Sequence, residues 1–67
     1  MKRTHELRIY ANKYHKRARY GELLLHLWFV GETSMQMDLD IALKQRDVAY
    51  VDVIDLEKFT TERKYPK

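Results

Sequence analysis

Two kinds of periodicity compete in the first third of the chain. Leu7, Tyr10, Ala11, Tyr14 and Ala18 recur at three- and four-residue intervals and mark one helical face. Arg8, Asn12, His15 and Arg19 form a second stripe at the same spacing, with Lys16 beside it. Thr4 is suited to cap such a helix, with Glu6 favourably placed in its first turn. The pattern therefore predicts a helix over about Thr4–Tyr20. Ile9 is its misfit, lying among polar residues. The competing reading is a strand at Glu6–Tyr10, where Leu7 and Ile9 alternate with charged neighbours.

Gly21 is a natural stop for a helix. Leu23–Val30 is apolar at both alternating positions apart from His26, and its length suits a buried strand. A continuous helix through Gly21 would place Leu7, Ala11, Tyr14, Ala18, Gly21, Leu25 and Trp28 on a 4-3 seam. A mid-helix glycine costs about 1 kcal/mol relative to alanine, and tyrosines with small residues make a poor seam, which favours the break.

The segment "GETSMQ" reads as a boundary. Thr33 and Gln36 have capping-box spacing, predicting a helix from about Ser34 with Met35, Leu39, Ala42, Leu43 and the stem of Arg46 inward. Asp40 and Lys44 have the spacing of a helical ion pair. Val48–Leu56 is rich in β-branched residues and predicts a strand with Ala49, Val51 and Val53 on one face and Tyr50, Asp52 and Ile54 on the other. Strand, helix and strand joined tightly imply a right-handed crossover between parallel strands.

The expected fold class is thus α+β: one small domain over 1–59, helix-strand-helix-strand, followed by a polar tail over 60–67. Two strands are an incomplete sheet. With 67 residues and no cysteine, the chain has no disulfide staple, so a homodimer is expected to complete the fold. No apolar stretch reaches the roughly 20 residues of a membrane span, and no membrane partner is expected. The expected compartment is the cytoplasm.

Charge is uneven. Residues 1–20 hold seven Lys/Arg against one acid, a net +6, while residues 21–67 hold six against nine, a net −3. Such asymmetry points to a basic contact surface. Arg8, Lys13, Lys16, Arg17 and Arg19 are suited to neutralise phosphates, with Asn12 and His15 adding hydrogen bonds. Tyr14 and Tyr20 are suited to stack unpaired bases.

No catalytic constellation emerges. His5, His15 and His26 lack metal-ligand spacing, and His26 reads as a core histidine. "DVIDLEK" faintly suggests a metal-dependent nuclease, but Glu57 and Lys58 would point to opposite faces of a strand. Neither a metal nor a cofactor is expected. The expectation is a small non-enzymatic regulator that binds nucleic acid, DNA in the first place, through a basic N-terminal helix. The alternative is a modulator or inhibitor that docks on a larger protein through Ile9, Tyr20, Phe59 and Tyr65 without touching nucleic acid. Arginine and tyrosine are favoured anchors in either case.

Overall fold

The computed structural model describes residues 2–66. Met1 and Lys67, the outer ends of the expected domain and tail, lie outside the described residues. Among the described residues four strands form one antiparallel sheet, and a single helix packs on one of its faces. In chain order the elements are β1 (His5–Ala11), β2 (Leu23–Phe29), α1 (Glu32–Leu43), β3 (Val48–Asp55) and β4 (Thr60–Lys64). The strand order across the sheet is β2-β1-β3-β4. The helix-strand-helix-strand expectation is overturned.

The N-terminal helix does not form; His5–Ala11 is a central strand. Leu7 and Ala11 satisfy a helical repeat and an alternating one equally, but Ile9 satisfies only the second. Leu7, Ile9 and Ala11 are buried on one face, with Ile9 only 6% exposed. Leu7 lies opposite Leu27 on one side and Val53 on the other, and Ile9 lies opposite Leu25 and Val51. Pairing on both sides and burial under α1 outweigh the helical propensity of Glu6, Leu7, Arg8 and Ala11. Ile9 is therefore part of the core, not a surface available to a partner.

Helix α1 buries Met35, Leu39 and Ala42 against Leu7, Ile9, Val48 and Val51. It starts earlier than the capping-box pattern predicts. Gly31 occupies the N-cap at φ 93°, a left-handed value that glycine tolerates, and no side chain among the described residues caps the helix. Instead the Gly31 N–H donates to Thr4 Oγ1 at 2.7 Å, tying the helix entrance to the start of β1. Gln36 turns forward to Asp40 at 2.9 Å, and Arg46 lies beyond the helix, exposed.

The β2–α1–β3 crossover joins two strands that run parallel, as the sequence pattern implies, but they are not neighbours. Both pair antiparallel with β1, which sits between them. Thr60–Lys64, expected as the start of a polar tail, pairs with β3 as an edge strand. The four strands give one chain a complete sheet, so closing the core no longer requires a second subunit.

Candidate nucleic-acid interface

The basic segment is an eleven-residue loop, 12–22, between β1 and β2. Two of the residues expected to touch phosphate are used to build it. The Asn12 amide donates to the Arg46 carbonyl at 2.7 Å and the Val48 carbonyl at 3.3 Å, while its oxygen accepts the Tyr14 N–H at 2.8 Å. His15 Nδ1 accepts the N–H groups of Ala18 at 2.9 Å and Arg17 at 3.2 Å, and its Nε2 lies 3.8 Å from Asp47. Gly21 closes the loop at φ 82°, where a side chain would be strained; its N–H donates to the Ala11 carbonyl at 2.8 Å. Asn12 and His15 thus fix the loop on the α1–β3 turn instead of facing outward.

The remaining charges point to solvent. Lys13, Lys16, Arg17 and Arg19 are exposed, and the α1–β3 turn adds exposed Lys44 and Arg46 at the same end of the sheet. Among the described residues none of these six cations makes an ion pair. Tyr14 lies between two of them, with Lys13 Nζ 5.3 Å and the Arg46 guanidinium 4.9 Å from its ring centre. An open cleft of about 660 Å³ is lined by Tyr14, His15, Lys16, Arg17, Arg46 and Asp47.

Arg8 is elsewhere. The helical row Arg8–Asn12–His15–Arg19 does not exist, because Arg8 belongs to β1 on the helix-free face. There it lies 3.4 Å from Glu6, which also bonds His26. His26 stacks on Trp28 at 4.2 Å between ring centres, and the Arg3 guanidinium covers the indole at 4.8 Å.

The same face carries a second aromatic group that sequence reasoning did not assemble. Tyr10 of β1 and Tyr50 of β3 stand opposite each other in register, with ring centres 4.9 Å apart. Tyr20 from the loop and Tyr65 beyond β4 meet Tyr50 edge-on at 6.5 and 6.0 Å. The Arg63 guanidinium lies 4.0 Å above Tyr50 and is anchored to Asp52 by two hydrogen bonds, 2.8 and 3.2 Å. That bidentate pairing holds the Arg63 pKa far above its ordinary value. Tyr50 is covered on its faces, whereas Tyr20 and Tyr65 are 68% and 63% exposed.

Two of the three carboxylates of "DVIDLEK" are engaged in the fold. Asp52 holds Arg63, and Asp55 Oδ1 accepts the N–H groups of Glu57 and Lys58, each at 3.0 Å, in the β3–β4 turn. These bonds, the one from Lys58 foremost, pull the Asp55 carboxyl below its ordinary pKa. Among the described residues no group of three His, Cys, Asp or Glu is placed to hold a metal ion. Phe59, expected as a partner contact, projects from this turn at the opposite end of the sheet, 91% exposed. No helix among the described residues is long and apolar enough to cross a membrane.

Comparison with protein-family models, curated proteins and solved structures yields no match.

Proposed function

We propose that the protein is a small non-enzymatic regulator that binds single-stranded nucleic acid at the basic end of its sheet. The observation that carries this reading is a juxtaposition. Six exposed cations from loop 12–22 and the α1–β3 turn, without ion-pair partners among the described residues, lie at the same end of the sheet as a tyrosine cluster whose outer rings, Tyr20 and Tyr65, are open to solvent. Cations beside stacking platforms are what an unpaired strand requires: phosphates are neutralised while bases lie on aromatic rings. A duplex offers the phosphates but keeps its bases stacked internally, so the tyrosines would contribute little to binding it. The cytoplasm is the expected site of action.

The test is fluorescence anisotropy with a labelled oligothymidylate and with a duplex of equal length. Tyr20→Ala and Tyr65→Ala should each weaken single-strand binding by about 1–3 kcal/mol if one base stacks on each ring, about 5- to 150-fold. Duplex binding should be weaker and insensitive to these changes. Equal affinity for both ligands, unmoved by either substitution, would refute the reading. Capture of a host protein that survives nuclease treatment, with no oligonucleotide binding, would support the alternative of a protein-docking modulator.

A further inference from the structure

The sheet sorts its charge by face. Helix α1 carries Glu32, Asp38 and Asp40 and no Lys or Arg, and Glu62 of β4 stands opposite Val53 on the same side. On the helix-free face the strand carboxylates among the described residues are Glu6 and Asp52, only 7% and 8% exposed. Arg8 and His26 hold the first, and Arg63 holds the second. The charges this face shows to solvent are those of Arg3, Arg8 and Arg63. Aromatic rings lie towards both of its ends. The Tyr10–Tyr50 pair is nearest loop 12–22, whereas Trp28 stands opposite Glu6, further back along β1. Trp28 is not part of the core cluster and is 45% exposed, with the Arg3 guanidinium against its ring.

We infer that the bound single strand continues from the basic end across the helix-free face to Trp28, where a further base stacks beside the indole. The inference rests on the single-strand reading above and extends its site. From Tyr50 to Trp28 the path runs four residues along the strands and two strand spacings across them, about 16 Å. Arg8 and Arg3 lie along it. Arg8 spends one donor of its guanidinium on Glu6 and keeps the others for phosphate. Arg3 makes no ion pair among the described residues. Charge complementarity selects the occupant. An apolar protein surface would have to strip water from exposed guanidinium groups without pairing them, whereas a phosphate backbone pairs them as it covers them. The separated rings select unpaired bases, which a duplex does not offer.

Trp28 is the chain's single tryptophan, so its emission reports on this end of the face alone. Titration of the wild type with oligothymidylate should quench that emission in step with the anisotropy change, because a base stacked on an indole quenches it. An abasic strand of equal length, which keeps the phosphates, should bind with little quenching. Arg3→Ala, at an exposed position outside every element, should flatten the slope of log affinity against log salt by about 0.7. Trp28→Ala should weaken binding about 5- to 150-fold and Trp28→Phe less, both with an unchanged circular dichroism spectrum. Should Trp28→Ala disturb folding, the wild-type emission and Arg3→Ala decide. Binding seen by anisotropy with Trp28 emission unmoved would confine the strand to the basic end; it overturns this inference and leaves the single-strand reading standing. Equal quenching by the abasic strand would also overturn it. Absence of any oligonucleotide binding would overturn both. An unmoved emission in a chain that sediments at twice its 8.2 kDa mass would give the face to a second copy instead.

Discussion

Phe59 is the sharpest local test of the backbone. It sits at φ 57°, the only non-glycine residue with positive φ among the described residues, at the end of the turn that Asp55 organises. An L-residue in the left-handed region costs about 1–2 kcal/mol, which glycine avoids. Glycine also gives up more freedom on folding, about 0.5–1 kcal/mol relative to alanine in ordinary positions. The balance reverses the usual order: Phe59→Gly should be more stable than Phe59→Ala by about 1 kcal/mol, or about 4–8 °C in Tm for a domain of this size. The ring is 91% exposed, so Phe59→Ala itself should cost no more than about 0.5 kcal/mol. Urea denaturation of the three proteins measures both differences. An alanine variant as stable as the glycine variant would show that residue 59 is not held left-handed. A large loss in both would show that the ring packs against the domain.

Leu7 is fully buried at the centre of the sheet, and Leu7→Ala should cost about 2–5 kcal/mol, read from the urea midpoint at constant m. For a chain this short, total stability is of order 3–10 kcal/mol, so that variant should be partly unfolded at 37 °C; a loss below about 1 kcal/mol would contradict the central placement of β1. The Asp55 carboxyl has a folded pKa below the ordinary 3.8, so the unfolded chain binds more protons there. Its stabilising contribution is present above about pH 4 and is lost as pH falls through the lower folded pKa. Asp55→Asn should make the fall in urea midpoint below pH 4 shallower, and an unchanged acid slope would deny the turn its role.

Much of the chain was legible where apolar spacing had one meaning. The strands at Leu23–Phe29 and Val48–Asp55 and the inward Met35, Leu39 and Ala42 of α1 follow from their patterns, although β2 is an edge with no buried residue instead of the buried strand its composition predicts. Residues 5–11 do not, because Leu7 and Ala11 suit both periods; Ile9 is the discriminating residue, the one a helical pattern leaves as an exception. Thr60–Lys64 carries no apolar residue, so nothing in its pattern marks a strand. Its place comes from backbone pairing with β3 and from Arg63 reaching Asp52, neither of which leaves a periodic signal. The cations of the candidate interface could be seen in the sequence, but their lack of ion-pair partners among the described residues could not. Nor could the diversion of Asn12 and His15 into loop bonding. Tyr10, Tyr20, Tyr50 and Tyr65 are scattered along the chain and meet only once the β1–β3 register is known.

The salt dependence of single-strand binding tests the central claim most directly. Log affinity against log salt should be linear and fall by about 0.7 for each phosphate neutralised on a single strand. Replacing Lys16, Arg17 and Arg46, the three cations lining the cleft, together with alanine should flatten that slope by about 2 while leaving the circular dichroism spectrum unchanged. A wild type that binds with no salt dependence, or a triple variant with the wild-type slope, would contradict the account.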